Sequence, residues 1–192
     1  VLGRLGSNVE GLSIPFSGRH ARTHIWLDPA LRGGTSVVRR AAEHQYAHAV
    51  AVAAGLDPAW GEAFASWTVL ALEGSPDDRT LASLASRLAA QGTGLVASDF
   101  DLASGNAAWF AFLNESYGPT TVKLAVEELG RGGSDQAALD RAMRRGSGDT
   151  VEAALRDFQV VSLLVGPRND GRHFSFAARL PGPVFAASAE AL

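Results

Sequence analysis

Two histidines four residues apart are the strongest chemical signal in the 192-residue chain. His44 and His48 lie in a helical pattern that we predict to run over residues 36–54. Positions i and i+4 share one helix face, so both imidazoles could reach a single tetrahedral zinc ion. Because the chain contains no cysteine, a metal here must be held by histidine or carboxylate side chains.

Glu62 is the candidate for a third metal ligand. It lies on the next predicted helix, which starts at the capping pair Asp57-Pro58 and runs to about Leu72. A short turn between the two helices would return its carboxylate to the histidine pair. Its neighbours are almost all apolar, and a carboxylate in such surroundings needs a partner, which a metal would supply. Imidazole and carboxylate ligands suit zinc without excluding other metals.

The order of these motifs carries a family resemblance. Residues 44–48 read His-Gln-Tyr-Ala-His and resemble the His-Glu-x-x-His signature of zincins, with Gln45 in the glutamate position. Residues 62–67, Glu-Ala-Phe-Ala-Ser-Trp, resemble the Glu-Gly-x-Ala-Glu-Trp/Tyr segment that carries the third ligand in gluzincins. Residues 108–118, ending in Tyr-Gly, resemble a later helix of bacterial gluzincin-like domains. Over residues 23–165 the chain therefore resembles a gluzincin-type, zincin-like metallopeptidase domain of the MA clan.

This resemblance implies one zinc ion held by His44, His48 and Glu62. In the family, the glutamate of the first motif accepts a proton from the zinc-bound water that attacks a peptide carbonyl. Gln45 replaces that glutamate, and a carboxamide has no basic oxygen near neutral pH. We therefore expect peptide hydrolysis to be absent or strongly impaired. Tyr117 is a candidate oxyanion stabiliser by its place in the chain, although packing at a helix end explains it more simply.

The pattern along the chain predicts an α+β fold that is mainly helical. Residues 1–166 are expected to form the zincin-like domain, with its site between a sheet edge and the first two helices. Residues 167–192 are a β-prone tail that could begin a second domain. We expect Tyr46 and the four tryptophans, Trp26, Trp60, Trp67 and Trp109, to lie in the core. Strands are predicted at residues 23–27 and 173–177, and helices at 36–54, 57–72, 81–90, 104–117, 120–129, 134–144 and 149–164.

The composition of the chain limits the classes of partner that it is expected to bind. Hydrophobic residues make up 46% of the chain and charged residues 19%, which is typical of a globular protein. The net charge of -3 argues against a nucleic-acid partner. No apolar run approaches the ~20 residues that span a bilayer. The first residues lack an initiator Met and a signal peptide, so we expect the chain to be cut from a longer precursor, and the family resemblance implies an extracytoplasmic or secreted location.

Three functional hypotheses follow from the residues. The first is a peptidase-type domain that acts on peptides and is disabled at Gln45. If Gln45 is an engineered substitution, the active parent would be an endopeptidase or an aminopeptidase, and the lack of a clear exopeptidase signature favours an endopeptidase. The second is a non-catalytic module that binds a peptide or a protein in the same cleft. The third is a helical structural domain without a metal. The sequence does not constrain the oligomeric state.

Overall fold

The computed structural model describes residues 11–16, 22–28, 31, 34–90, 95 and 100–182. Two antiparallel strands, β1 (Gly11–Phe16) and β2 (Arg22–Leu27), form a two-stranded sheet. Eight α-helices follow in the described part of the chain, so the protein is mainly helical with a small sheet, as predicted. These helices are α1 (Thr35–Ala54), α2 (Pro58–Glu73), α3 (Asp78–Ala89), α4 (Phe100–Gly105), α5 (Ala107–Tyr117), α6 (Pro119–Gly130), α7 (Asp135–Gly146) and α8 (Val151–Val161). None of these helices is both long and apolar enough to span a membrane.

A tight turn reverses the chain between α1 and α2. Gly55 ends α1 in the left-handed region, with φ of 83°, where a residue without a side chain is favoured. Asp57 caps α2 by accepting a hydrogen bond from the backbone N–H of Trp60 at 2.9 Å. Pro58 occupies the first turn of α2, where its missing N–H costs no hydrogen bond. The predicted helices and turn are confirmed, and the turn makes α1 and α2 neighbours.

Helix α5 forms the centre of the core. Every residue from Ala107 to Leu113 is buried, so the other helices must surround this one. The ring of Trp109 lies 5.3 Å from that of Phe158 on α8, and the ring of Phe110 lies 5.8 Å from that of Trp60 on α2, both edge-to-face. The aromatic residues therefore tie α2 and α8 to the central helix.

The hairpin differs in part from the expectation. Strand β2 was predicted, but its partner β1 was not, because the surrounding residues 1–21 are rich in Gly and Ser. Leu12 of β1 lies opposite Trp26 of β2, and these two side chains are 44% and 40% exposed. The core position predicted for Trp26 is therefore wrong. Tyr46, also predicted in the core, is 64% exposed on α1.

Two helix boundaries also differ from the sequence prediction. Helix α3 begins before residue 81, because the Asp77 side chain accepts a hydrogen bond from the backbone N–H of Thr80 at 2.8 Å and so caps an earlier turn. The single helix predicted over residues 104–117 is two helices, α4 and α5, that meet at Asn106. Asn106 is 1% exposed and donates from its side chain to the Leu95 carbonyl oxygen.

The strand predicted at residues 173–177 is wrong. Phe174 has a φ of 51°, and the backbone N–H groups of Phe174 and Ser175 donate to the Glu115 carboxylate at 2.7 and 3.1 Å instead of to a neighbouring strand. Phe174 and Phe176 stack on each other and are both buried in the helical core. A 3-10 turn, Ala177–Arg179, follows. The second domain predicted to begin in this tail stays a prediction, since residues 183–192 lie outside the described residues.

Candidate metal centre

Small residues bring α1 and α2 close enough for their polar side chains to meet. Ala47 and Ala51 of α1 are each 1% exposed, and Ala63 of α2 is fully buried. Gly61, the residue before Glu62, faces the same contact, and a Cβ built on it would lie 3.6 Å from the Cβ of Ala51. Because no large side chain separates the two helices, the Glu62 side chain reaches the histidines of α1.

The three predicted ligands form one cluster. Nε2 of His48 lies 3.1 Å from Nε2 of His44 and 3.0 Å from Oε2 of Glu62. Nε2 of His44 lies 3.5 Å from Oε1 of Glu62. The two imidazole rings are nearly perpendicular, with centroids 4.7 Å apart. The cluster predicted from the sequence is therefore present, and it could hold a metal ion.

The spacing of the ligand atoms fits a metal. Ligand atoms bound to zinc at about 2.0–2.2 Å with tetrahedral angles lie roughly 3.3–3.5 Å from one another. The distances within the cluster, 3.0 to 3.5 Å, are close to that value. Nε2 of a neutral histidine carries at most one proton, so Nε2 of His48 cannot donate to both of its neighbours at full strength. A cation between the three groups would accept a lone pair from each of them.

Glu62 is held as an anion. Its side chain is buried, which by itself would raise the pKa of the carboxyl group, but hydrogen bonds and charge interactions with His44 and His48 lower the pKa well below its ordinary value. Oε1 also accepts a hydrogen bond from Oγ of Ser104 at 2.8 Å and a longer one from Oγ of Ser66 at 3.4 Å. The carboxylate is therefore charged and fixed in orientation, as a metal ligand must be.

Gln45 lies beside the cluster under strand β1. It is 8% exposed, and a Cβ built on Gly11 would lie 2.7 Å from its Cγ atom. Only glycine at position 11 therefore allows β1 to approach the Gln45 side chain as closely as it does. Strand β1 forms one wall over the site, next to Gln45.

A cavity of about 370 Å³ opens beside the cluster. Its floor is one face of α1, from Arg40 through His44 and His48 to Val52, positions that recur every four residues along the helix. The expected location between the sheet and the first two helices is therefore correct, but α3 and α4 also contribute. The other lining residues are Gly11, Leu12, Ala41, Gln45, Glu62, Ser66, Val69, Asp77, Arg79, Thr80, Ser83 and Ser104.

Tyr117 does not join the cluster. Its ring packs edge-to-face on Phe112, with centroids 5.8 Å apart, and it is not among the described residues that line the cavity. Burial raises the pKa of its hydroxyl group, as do the charges of Asp157 and Asp149. Its position at the end of α5 is that of a packing residue, so the oxyanion role predicted from its place in the chain finds no support in this arrangement.

The two serines that donate hydrogen bonds to Glu62 were not predicted from the sequence. Ser66 follows Glu62 by one helical turn, so the i, i+4 spacing could have revealed it. Ser104 lies on α4, far from Glu62 in the sequence, and no local pattern connects the two residues. Leu12 and Gly11 were missed because strand β1 was not predicted.

No protein-family model matches the chain. Comparison with curated proteins and with solved structures also gives no significant match. The resemblance to gluzincins therefore depends on the motif residues alone.

Proposed function

We propose that the protein is a gluzincin-type metallopeptidase-like domain that binds one zinc ion through His44, His48 and Glu62 and hydrolyses peptides poorly or not at all. The observation that carries the proposal is the spacing of the three ligand groups, whose atoms lie 3.0 to 3.5 Å apart around a common point. The burial of Glu62 supports it, because a buried carboxylate needs compensating partners, and a cation would be one of them.

Zinc would supply a Lewis acid with one open position. The residues around it determine whether that acidity leads to hydrolysis. Gln45 stands where a zincin needs a general base, and its carboxamide can hydrogen-bond a water molecule but cannot take its proton. General acid–base catalysis contributes roughly 10²–10⁴-fold to a rate, so a loss of at least that order is expected.

Neighbouring carboxylates do not offer a substitute base. Glu43 forms an ion pair with Arg39 at 3.5 Å and is not among the described residues that line the cavity. Asp77 does line the cavity, but its carboxylate is engaged by Arg40 at 2.6 Å and by the backbone N–H of Thr80 at 2.8 Å. Burial opposes ionisation of Asp77, yet these two partners lower the pKa of its carboxyl group, so it is a weak base.

The shape of the cavity supports a peptide or protein segment as the ligand. The face of α1 between Arg40 and Val52 covers about 18 Å at 1.5 Å per residue, which matches about five residues of extended chain. In the sheet that the described residues form, β1 is paired on one side only, with β2. An extended peptide could add to the other side of such a strand. An extracytoplasmic or secreted location belongs to the same proposal.

The second candidate function is a non-catalytic module that binds a peptide or a protein in this cavity. The packing of Gln45 favours it, because this buried side chain, whose Cγ atom packs under Gly11, lines the cavity without adding a charge. In this alternative the zinc ion has a structural role or contacts the bound peptide.

Restoring the glutamate separates the two functions. Gln45→Glu preserves the size of the side chain, and we expect it to raise zinc-dependent casein hydrolysis at least about 10²-fold over the unaltered protein. The control is Gln159→Glu on α8, which makes the same chemical change at an exposed position and should leave activity unchanged. If Gln45→Glu binds zinc and still cleaves nothing, the disabled-peptidase proposal is wrong and the binding module is favoured.

A further inference from the structure

The first turns of α3 form the wall of the cavity near Arg40. Asp77, Arg79, Thr80 and Ser83 all line the cavity there. Asp77 is linked to Arg40 by an ion pair of 2.6 Å, so this wall lies against the α1 turn that contains Arg40. Arg40 precedes His44 by four residues, which corresponds to about 6 Å along the helix. A group bound at this wall would therefore be close to the metal cluster.

The two arginines of the cavity differ in their charge balance. Arg40 is neutralised, since it contacts the Glu73 carboxylate at 2.7 Å as well as that of Asp77. Arg79 is exposed and forms no ion pair with any residue in the described ranges. The neighbouring Asp78 interacts instead with Arg179, at 3.7 Å. Among the described residues, the Arg79 guanidinium therefore lines the cavity without an ion-pair partner.

Ser83 supplies a second, independent observation. It is 8% exposed, yet it lines the cavity. Within the part of the chain that the structure describes, its hydroxyl group has no hydrogen-bond partner. The Ser83 hydroxyl oxygen is not among the described polar atoms that are buried without a hydrogen-bond partner, so it is open to the cavity, where it can bond a polar group that enters.

The N-terminal end of α3 also bears on which polar group would bind at this wall. Arg79 lies in the first turn of α3 and Ser83 one turn later, and the N-terminal end of a helix carries a partial positive charge. The Asp77 carboxylate accepts the N–H of Thr80 and shares the Arg40 guanidinium with Glu73. Within the described residues, Arg79 is therefore the group of this wall that would attract an anion.

We propose that Arg79 and Ser83 form a subsite for a carboxylate group of the bound peptide, either an acidic side chain or the C-terminal carboxylate. This inference rests on the proposed peptide-binding function and names its ligand class. Arg79 pairs with the carboxylate, in the fork geometry that guanidinium groups offer to carboxylates, and the Ser83 hydroxyl donates a hydrogen bond to it. Because this wall lies against the Arg40 turn of α1, about 6 Å along the helix from His44, we expect the carboxylate one or two residues along the peptide from the metal cluster.

The test compares the binding of three fluorescein-labelled pentapeptides to zinc-supplemented protein by fluorescence polarisation. The first is an amidated alanine peptide with Glu at the second position. The second has Gln there, and the third has Gln and a free C-terminal carboxylate. We expect one of the carboxylate peptides to bind roughly tenfold more tightly than the amidated Gln peptide, the size of one hydrogen-bonded ion pair. The Glu peptide indicates an acidic side chain, and the third peptide indicates a chain terminus.

Two variants test whether the preference for a carboxylate peptide comes from Arg79 and Ser83. Arg79→Gln should abolish it while binding of the amidated Gln peptide stays unchanged, and Ser83→Ala should reduce it several-fold. The matched control Arg156→Gln, at an exposed arginine of α8, should keep the preference. Equal binding of all three peptides, no binding of any of them, or a preference that survives Arg79→Gln would overturn the proposal.

Zinc content, measured on the same samples, separates this inference from the proposed metal site. An Arg79-dependent preference in protein that takes up no zinc would support the subsite and contradict the zinc proposal. Bound zinc without any carboxylate preference would contradict the subsite and leave the zinc proposal intact.

Discussion

Removing the Ser104 hydroxyl should weaken zinc binding by about tenfold. Ser104 donates to Oε1 of Glu62 at 2.8 Å and so fixes the orientation of that ligand. Loss of a hydrogen bond that orients a metal ligand typically costs about 10–100-fold in affinity. We expect the lower end of that range, about 1.4 kcal/mol, because Ser66 still reaches the same oxygen and water from the cavity can replace the lost hydroxyl group.

The ranking of two serine variants makes this prediction specific. Ser66 lies 3.4 Å from the same Glu62 oxygen, at the long limit of a hydrogen bond, so Ser66→Ala should weaken zinc binding by no more than about threefold. Zinc affinity is measured by competition with a chromophoric chelator, after thermal unfolding of the metal-free variants shows that both are folded. A larger loss for Ser66→Ala than for Ser104→Ala, or no loss for either, would refute this view of Glu62.

Two further predictions concern the scaffold. A hydrogen bond from Arg141, together with two other arginines, holds the pKa of Glu128 below its ordinary value although burial opposes this. Glu128 should therefore stabilise the fold above the ordinary carboxyl pKa and lose that effect as pH falls through its lowered pKa. Glu128→Gln should lower the thermal midpoint at pH 7, and by less at pH 3, which is below the ordinary carboxyl pKa. A Cβ at Gly130 would overlap the Ala54 carbonyl oxygen. Gly130→Ala should therefore destabilise the protein by about 1–3 kcal/mol in urea unfolding. A Cβ at Gly61 meets only ordinary contacts, so Gly61→Ala should stabilise the protein by up to about 1 kcal/mol.

A control variant and a direct comparison of variants test the predictions for Glu128 and for the two glycines. Glu127→Gln alters a half-exposed neighbour whose ion-pair partner among the described residues is Lys123, at 3.5 Å, and should change the midpoint little at either pH. A midpoint difference between Glu128→Gln and the unaltered protein that is the same at pH 7 and pH 3 would contradict the role of the ionised Glu128 carboxylate. Equal unfolding free energies for the two glycine variants would contradict the close approach of α1 and α6.

The cluster could be predicted because its signals are local. The spacing of His44 and His48 fixes their common helix face, and the Gly55 and Asp57 signals fix the turn that returns Glu62 to them. These features depend on residues within one or two turns of each other, where helix geometry and capping decide the structure.

The predictions that were wrong, and the residues that were missed, depend on contacts between residues that are distant in the sequence. Ser104 meets Glu62 only because α4 packs on α2, and nothing near Ser104 signals that contact. The alternation of residues 173–177 favoured a strand, but the Glu115 carboxylate takes the backbone N–H groups that a strand would use. Tertiary contacts of this kind override local pattern. Trp26 is another case, since its exposure depends on how the hairpin packs on α1.

Zinc content by elemental analysis tests the central claim most directly. Purified protein supplied with zinc and then desalted should contain about one zinc ion per chain, as the one three-residue cluster found among the described residues implies. A His44→Ala, His48→Ala double variant should contain none, whereas a His24→Ala, His173→Ala control should retain the full amount. Absence of zinc from the unaltered protein, or its retention in the His44→Ala, His48→Ala variant, would contradict a zinc site at this cluster.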